Sequence, residues 1–481
     1  MRLGVDFGTT NSTVSLFDGE QLHPITIDPH NDNPHVMSSL IYIDRKGNST
    51  VGAQAAAVYL KRETGRPVRW RRREAGEIDI TVASFENDPI EFTQNVNVLV
   101  DVAARGRLVQ SIKTGLFNNR YKGTSIFDKY YRLEALIAII LKRLKIAAEK
   151  SLGETCDAVM LGRPVRFADS DLFDSRAEAT LLKAAHLAGF KDIALQLEPV
   201  GVTHLFQHST DARHTALVFD FGGGTLDLTV AKIGGNIPPQ IIATQGVLVG
   251  GDDLDRTIMA WLMPYFGGGS DGILSPEMTD KLRTWQTMPE LSQPYFLERI
   301  RRMQRELADP APLAALETLV TRNIGFKLFK EIENTKKALS DTDSAVLTFK
   351  YESIDLVQTL TRRRFERIIA PYIDRVEDGI TTLLKKANMR ANEIDVVLRT
   401  GGSSLVPAFS NLLASIFGEE KQRAIDPLVS VGGGFAVAAH DYRPPYIPEP
   451  ETLIQDISTT SGAELAVSTI GVGKLCYEDR D

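Results

Sequence analysis

Two glycine turns decide the fold of this chain. The first stretch is GVDFGTTNS at Gly4–Ser12, and the second is VFDFGGGTLD at Val218–Asp227. Short apolar runs flank each turn, so we predict that each turn joins two antiparallel strands. Asp6 and Asp220 occupy the same place in the two stretches. The sequence therefore predicts two similar lobes in tandem.

The residue types in these turns predict a site for phosphate groups. Glycine has no Cβ, so backbone N–H groups can converge on phosphate oxygens. The hydroxyl groups of Thr9, Thr10 and Thr225 would add hydrogen-bond donors. Carboxylates at Asp6 and Asp220 would repel bare phosphate, so the arrangement makes sense only with a divalent cation between them. We therefore predict a polyphosphate held from two sides, with Mg²⁺ bound largely through water.

Other interpretations of the turns are weaker. Either turn alone could be a tight hairpin that uses glycine for positive φ. The GxxxxGK[ST] motif of P-loop proteins is absent, which excludes that class. Asp-Phe-Gly occurs twice, but no His-Arg-Asp loop or Val-Ala-Ile-Lys strand accompanies it, so a protein kinase is also excluded. Two turns, each with a leading Asp and a following Thr, favour phosphate binding.

The rest of the chain alternates apolar strands with helical patterns, which is typical of an α/β protein. The clearest elements are a helix at Tyr131–Lys150 followed by Gly153, a buried strand at Ala158–Leu161 and a helix at Asp171–Ala188. The predicted units are lobe I at residues 1–200 with an insertion at about 36–110, lobe II at 201–442 with a mostly helical insertion at about 255–345, and a linker-like stretch and tail at 443–481.

The bulk composition is that of a globular protein. The chain has 481 residues, of which 43% are hydrophobic and 24% charged, so it can bury a sizeable core. Its net charge of −7 argues against nucleic acid or a membrane as a partner. Its two cysteines, Cys156 and Cys476, lack metal-ligand spacing. The opening residues do not read as an export signal and Ala135–Leu141 is too short to span a bilayer, so we expect a cytoplasmic protein.

The two turns closely resemble the phosphate motifs of the DnaK-type heat-shock chaperones, members of the actin-like ATPase superfamily. Further motifs resemble that family in the same order, over about residues 1–442: Gly162–Val165 with Glu198–Pro199, Gly250–Asp255, Glu333–Ser340, Thr400–Pro407, and Asp426–Pro427 with Val431–Gly434. The resemblance implies an actin-like α/β ATPase fold, with two lobes each built on a mixed sheet with flanking helices. The nucleotide cleft would lie between the lobes.

The resemblance also assigns roles. Lys113 would steer the attacking water and neutralise the γ-phosphate, although a lysine before a turn is more often a solvated surface residue. Mg²⁺ would be held, largely through water, by Asp6, Glu198 and Asp220. The implied catalytic residues are Lys113, Glu198, Asp6, Asp220 and Thr225. The implied nucleotide-binding residues are Gly8, Thr9, Thr10, Asn11, Gly222, Gly223, Gly224, Gly250, Gly251, Glu333, Lys336, Lys337, Ser340, Gly401, Gly402, Ser403, Leu405 and Asp426. The implied cofactors are ATP or ADP and Mg²⁺, with K⁺ as a further candidate cation.

The chain departs from the family pattern at the adenine. Leu405 and Lys337 stand where the family usually has arginine, so the cation–π contact of a planar guanidinium, worth about 0.5–2 kcal/mol, is lost. That loss corresponds to nucleotide binding up to about tenfold weaker.

A second departure lies at the end of the chain. The family joins a peptide-binding domain to the ATPase through an apolar linker, which Thr452–Ile457 only faintly resembles. We expect a tail that docks on a lobe and no peptide-binding domain, as in bacterial DnaK-related proteins described as chaperones that lack one.

The basic run RPVRWRRR at Arg66–Arg73 has two interpretations. It could meet an acidic protein or nucleic acid, with Trp70 stacking. The favoured interpretation is a solvated segment whose arginines pair with Glu63, Glu74 and Glu77, because the molecule as a whole is acidic.

The sequence thus predicts an ATPase that hydrolyses ATP slowly to ADP and phosphate. Hydrolysis would open and close the lobes as a chaperone-related switch, acting through a protein partner or client. Three alternatives stay open: a filament-forming actin-like ATPase, a small-molecule kinase of the same superfamily and a nucleotide-sensing pseudoenzyme scaffold.

Overall fold

The computed structural model describes residues 2–82, 90–168, 170–207, 212–235, 237, 239–269, 272–425 and 430–441. The strands are β1 (Arg2–Phe7), β2 (Asn11–Phe17), β3 (Leu22–Pro24), β4 (Val36–Ser38), β5 (Ile41–Asp44), β6 (Ser49–Val51), β7 (Trp70–Val82), β8 (Ile90–Asp101), β9 (Gly106–Val109), β10 (Gly123–Ile126), β11 (Lys129–Arg132), β12 (Ala158–Arg163), β13 (Asp192–Leu197), β14 (His214–Phe221), β15 (Leu226–Ile233), β16 (Gln240–Val247), β17 (Ser344–Tyr351), β18 (Ile354–Thr361), β19 (Val396–Thr400) and β20 (Gln422–Ala424).

The α-helices are α1 (Ala53–Arg62), α2 (Leu133–Leu152), α3 (Asp171–Leu187), α4 (Glu198–Gln207), α5 (Gly251–Leu262), α6 (Pro276–Lys281), α7 (Pro294–Glu306), α8 (Ala311–Thr321), α9 (Gly325–Asp341), α10 (Arg362–Lys386), α11 (Pro407–Phe417) and α12 (Ser430–Asp441). Short 3₁₀ helices lie at Ile112–Phe117, Met263–Phe266, Met288–Ser292, Ala391–Glu393, Gly402–Leu405 and Glu419–Lys421. Among the described residues, no helix is both long and apolar enough to cross a membrane.

Two mixed sheets with the same strand order form the framework. The first runs β13-β12-β1-β2-β3, with β4 paired to β2, and the second runs β16-β15-β14-β19-β20. In each, the hairpin around a glycine turn is antiparallel, and two further strands lie parallel to its first strand. The α/β class and the tandem repeat predicted from the two turns are confirmed. We call the elements around the first sheet lobe I and those around the second lobe II.

The predicted helices of lobe I are present with small shifts at their ends. α2 begins two residues later than predicted and ends at Gly153, which adopts φ 74° and donates its N–H to Glu149 O at 2.9 Å. Glycine takes this left-handed conformation without steric cost, so it ends the helix there. The apolar face of α2 is buried. Its residues are Leu133, Leu136, Ile137, Ile140, Leu141 and Leu144.

Two helices lie between the sheets and connect the lobes. α4 follows the first sheet and α12 follows the second, and both contribute to one apolar cluster with strands of both sheets. The helices touch backbone to backbone: a Cβ on Gly434 would overlap Gly201 O. Similarly, a Cβ on Gly4 of β1 would overlap the backbone of Ala436. These glycines allow the lobes to approach one another closely at one edge of their boundary.

The inserted segments form a second contact between the lobes. Tyr59 of α1 packs against the rings of Trp285 and Phe326, with centroid distances of 5.7 and 5.3 Å. The backbone of lobe I also donates across the boundary, from Gly65 N to Arg322 O at 2.8 Å. The lobes therefore contact each other both at the α4–α12 pair and at their insertions.

Replacement of Gly434 by alanine tests the close approach of α4 and α12. The added methyl group would overlap the carbonyl of Gly201, so we expect the free energy of unfolding to fall by about 1–3 kcal/mol. Thermal and urea denaturation measure the change. The matched control is Gly402→Ala, where an added Cβ meets no atom within 4 Å. Equal stability of the two variants would contradict this account of the boundary.

Candidate nucleotide site

The two glycine turns face each other across the lobe boundary. Asp6 is paired with Thr13 in the first hairpin, and Asp220 is paired with Asp227 in the second. A Cβ on Gly223 would overlap the hydroxyl oxygen of Thr10. The turns are therefore in contact in this structure, and a group placed between them would require the lobes to separate.

A buried ion pair lies beside the turns. Lys113, on the 3₁₀ helix Ile112–Phe117, contacts Glu198, the first residue of α4, with 2.6 Å between Nζ and Oε1. Their side chains are 6% and 8% exposed. The structure thus places Lys113 in the interior, not at the surface where a lysine in this sequence context is usually found.

Three aspartates surround this pair with raised pKa values. Burial raises the pKa of Asp6 to about 7, with repulsion from Glu198 adding to the effect and attraction to Lys113 opposing it. Burial and the repulsion of Glu198 also raise the pKa of Asp227 to about 7. The pKa of Asp220 is raised well above its usual value, by burial and then by the neighbouring carboxylates. Each of these groups therefore resists ionisation.

Lys113 is the counter-charge at this centre. Burial alone would lower the pKa of its ammonium, but the carboxylates of Glu198 and Asp6 more than offset burial and raise it. Lys113 therefore stays protonated among four acidic side chains. We call Asp6, Lys113, Glu198, Asp220 and Asp227 the charged centre.

The charged centre has the chemistry of a site for a hydrated cation. Its acidic side chains outnumber its basic one, so a divalent cation would relieve their mutual repulsion. Among the described residues, no three His, Cys, Asp or Glu side chains are arranged as direct metal ligands. Mg²⁺ readily keeps water ligands, so the carboxylates of the charged centre could hold such a cation through water.

Lobe II forms a backbone frame around the second turn. Gly251 N donates to Gly222 O at 3.1 Å, and Asp252 N donates to Gly223 O at 2.9 Å. Ser403 Oγ donates to the same Gly222 oxygen at 2.8 Å. α5 begins at Gly251, so the N-terminus of a helix lies beside the turn, where it favours negative charge.

Four of the residues implied to bind nucleotide lie on one face of α9: Glu333, Lys336, Lys337 and Ser340. Lys336 Nζ bonds to Gly251 O at 3.1 Å and pairs with Asp255 at 2.9 Å, which connects α9 to the frame of the second turn. Glu333 pairs with Lys330 and Lys337, with 3.0 and 2.7 Å between the charged atoms. Burial would raise the pKa of Glu333, but the two lysines hold it at about 2.

The loop of residues 400–407, implied to bind nucleotide, lies next to the second turn. Gly401 has φ 80°, and a Cβ there would overlap the backbone of Phe221. Both the backbone angle and this close contact therefore require glycine. Leu405 is 50% exposed. Ser340 on α9 accepts a hydrogen bond from Arg362 through its carbonyl. Asp426, implied to bind nucleotide, lies outside the described residues.

The structure adds site residues that the sequence did not single out. Asp227 belongs to the charged centre, and Ser111 Oγ donates to Asp252 Oδ2 at 3.0 Å across the boundary. Trp285 Nε1 also donates across the boundary, to Gln110 Oε1 at 2.8 Å. Asp227 could have been found from the sequence, because it follows Asp220 by the same interval that separates Thr13 from Asp6.

Two arginines of the basic run pair with acidic side chains of the same lobe. Arg66 pairs with Glu63 at 2.7 Å, as the favoured interpretation predicted, and also with Asp101 at 2.6 Å. Arg73 pairs with Asp128. Trp70 Nε1 donates to Ser292 Oγ of lobe II at 2.8 Å, so its indole joins the contact between the insertions. The side chains of residues 74 and 77, the other predicted acidic partners, lie outside the described part.

The chain is similar in sequence to several proteins named as chaperones or heat-shock proteins. The chaperone protein dnaK of Emiliania huxleyi is 26% identical over 442 residues, which are 91% of this chain and 59% of that protein. A chaperone protein DnaK of Thermus thermophilus is 24% identical, over 91% of this chain and 60% of that protein. The heat shock 70 kDa protein 6, chloroplastic, of Arabidopsis thaliana is 24% identical, over 91% of this chain and 52% of that protein.

This chain spans less than two thirds of the length of these relatives. A family model described as Hsp70 protein matches residues 2–287 and 318–471, which are most of the chain. The protein therefore belongs to the Hsp70 family.

Proposed function

We propose that this protein is a slow, Mg²⁺-dependent ATPase whose lobes separate and close with its nucleotide state. The observation that carries the proposal is the buried Lys113–Glu198 pair, which lies beside two facing glycine turns at the lobe boundary. Membership of the Hsp70 family supports ATP as the nucleotide, and its relatives are named as chaperones.

The chain's own residues would hold the phosphates and the attacking water. Backbone N–H groups of the two turns would bind phosphate oxygens, and the dipole of α5, which begins beside the second turn, would favour their negative charge. The ammonium of Lys113 would neutralise charge that develops on the transferred phosphoryl group and orient the water, as phosphoryl transfer to water requires. Mg²⁺ would supply charge neutralisation at the phosphates when bound. The carboxylates of Asp6, Glu198 and Asp220 would orient the water molecules around it.

The contact between the turns supports a switch. Gly223 and Thr10 leave no room for a phosphate group between them, so a phosphate placed there would separate the two turns. That separation would also change the contact between the insertions, where Tyr59, Trp285 and Phe326 pack together. We propose that a protein partner or client binds differently to the two arrangements, and that the nucleotide acts on it through the difference.

A second candidate is a nucleotide-sensing scaffold without hydrolysis. The half-exposed Leu405 and the pairing of Lys337 with Glu333 favour it, because neither residue presents a planar cation to an adenine ring. Hydrolysis measurements on the protein and its Lys113 variant distinguish the two candidates.

Replacement of Lys113 by alanine is the direct test of the ATPase. We expect single-turnover hydrolysis of ATP to slow by about 10²-fold or more, because a charge that stabilises the transition state is lost. ATP binding should persist, and Thr225→Ala should show the same pattern. The control is Lys183→Ala, whose side chain is 55% exposed and pairs with Glu134. Hydrolysis at the native rate in Lys113→Ala would reject the assigned role.

The charged centre predicts that stability without Mg²⁺ falls as pH rises. The folded protein holds protons on Asp6 and Asp227 up to about pH 7, whereas the unfolded chain releases them near pH 4. The folded state therefore binds more protons over this interval, and the free energy of unfolding decreases from about pH 4 to about pH 7.

Asp227→Asn should remove part of this pH dependence. We expect it to raise the free energy of unfolding by more than about 1 kcal/mol near pH 8, and by much less near pH 5, in buffer with a metal chelator. Urea denaturation at the two pH values measures the change. Asp280→Asn, at a side chain 82% exposed, is the control. Equal destabilisation by Asp227→Asn at both values would contradict the charge account.

The contact between the insertions predicts slow release of nucleotide. Trp285→Phe keeps an aromatic ring against Tyr59 but removes the N–H that bonds to Gln110. Loss of one hydrogen bond of about 0.5–1.5 kcal/mol should speed ADP release about two- to tenfold. Stopped-flow displacement of a fluorescent ADP measures the rate, with Trp261→Phe on α5 as the control. An unchanged rate would show that this contact does not limit release.

A further inference from the structure

A buried arginine outside the charged centre has no role in the account above. Arg163 ends β12, and its side chain is 3% exposed. Arginine is almost never buried to this degree unless its donors are satisfied. Its Nη2 donates to both carboxylate oxygens of Asp174, at 2.9 and 2.8 Å, and its Nη1 pairs with Glu178. Nε donates to Pro164 O at 3.1 Å and Nη2 to Val165 O at 3.4 Å.

These bonds fix the loop of residues 164–167 that connects β12 to α3. Asp174, on α3, accepts from Phe167 N at 2.7 Å as well as from Arg163. The guanidinium of Arg163 also lies 5.0 Å from the centroid of the Phe167 ring. The side chain of Arg163 therefore holds both ends of the loop to one face of α3.

The same loop borders the charged centre on two sides. The backbone amide of Val165 lies near enough to Asp227 of lobe II to oppose the rise in the pKa of that carboxyl. The ring of Phe167 packs against the ring of Phe117 with 5.7 Å between their centroids. Phe117 is the last residue of the 3₁₀ helix that carries Lys113. A displacement of the loop would therefore reach both Asp227 and Lys113.

We propose that Arg163 is a positioning residue for ATP hydrolysis: it fixes the loop of residues 164–167 so that Asp227 and Lys113 keep their places at the charged centre. This inference rests on the proposed ATPase function. Stability alone does not account for the arrangement, because buried ion pairs are a weak source of stability compared with apolar packing. The planar fork of arginine reaches two carboxylates and two carbonyls from one position, which the single ammonium of lysine cannot do.

Arg163→Lys separates positioning from charge. It keeps the positive charge between Asp174 and Glu178 but loses the fork that holds the loop. We expect single-turnover ATP hydrolysis to slow by about tenfold or more, while the affinity for ADP changes by less than about threefold. The matched control is Arg166→Lys on the same loop, whose side chain is 55% exposed and contacts Asp171 at 2.7 Å. Native hydrolysis in Arg163→Lys, or a parallel loss of ADP affinity, would overturn the proposal.

Amide hydrogen exchange gives a readout that does not depend on hydrolysis. In Arg163→Lys we expect faster exchange in the loop and also in Ile112–Phe117, with no change in Arg166→Lys. Faster exchange confined to the loop and α3 would mean that Arg163 stabilises only its own surroundings, which overturns the proposal. If the native protein does not hydrolyse ATP, the proposed function fails, and exchange at Ile112–Phe117 alone decides whether Arg163 positions this helix.

A second variant tests the proposal even if Arg163→Lys does not fold. Arg163→Met combined with Asp174→Asn and Glu178→Gln removes the buried charges together, so none is left unpaired. We expect this triple variant to fold but to hydrolyse ATP as slowly as Arg163→Lys, because it also lacks donors to the carbonyls of Pro164 and Val165. Native hydrolysis in the triple variant would show that charge balance alone matters and would overturn the proposal.

Discussion

The buried pair of Lys113 and Glu198 is the interaction on which the centre of the molecule depends. Each residue belongs to an element that borders the lobe boundary: a 3₁₀ helix for Lys113 and the start of α4 for Glu198. Removing two charges from water costs several kcal/mol per ion, which close pairing offsets only when further partners are present. Here the further partners are aspartates with raised pKa values, so the centre adds an unfavourable burial of acidic groups. The fold tolerates this because its stability comes from the large apolar clusters of both lobes.

The two hairpins and the repetition of the sheet could be predicted from the sequence because each depends on a local pattern. A glycine turn between two β-branched runs has few structural solutions, and its repetition predicts the repetition of the sheet. The end of α2 at Gly153 could be predicted for the same reason, since one residue type suits that backbone conformation. The roles assigned to individual residues remain predictions, although Asp6, Lys113, Glu198 and Asp220 do lie together.

The contacts across the boundary could not be predicted from the sequence. Ser111, Gln110 and Trp285 acquire their places from residues far away in the chain, and no local pattern distinguishes them from ordinary polar or core residues. Lys113 illustrates the same limit: a lysine before a turn is usually solvated, and only the position of α4 places it in the interior. Tertiary packing therefore determines which residues meet at the charged centre, whereas local sequence determines where the strands of the supporting sheets form.

The glycine contact between α4 and α12 has a mechanical consequence. Where two helices touch through backbone atoms, as at Gly201 and Gly434, fewer interdigitated side chains must disengage when one rolls over the other, so a small rotation changes less packed volume. The contact between the insertions is different, because the rings of Tyr59 and Trp285 are packed together there and must separate. Resistance to a rotation of the lobes is therefore concentrated at the insertions, whereas the α4–α12 pair permits it.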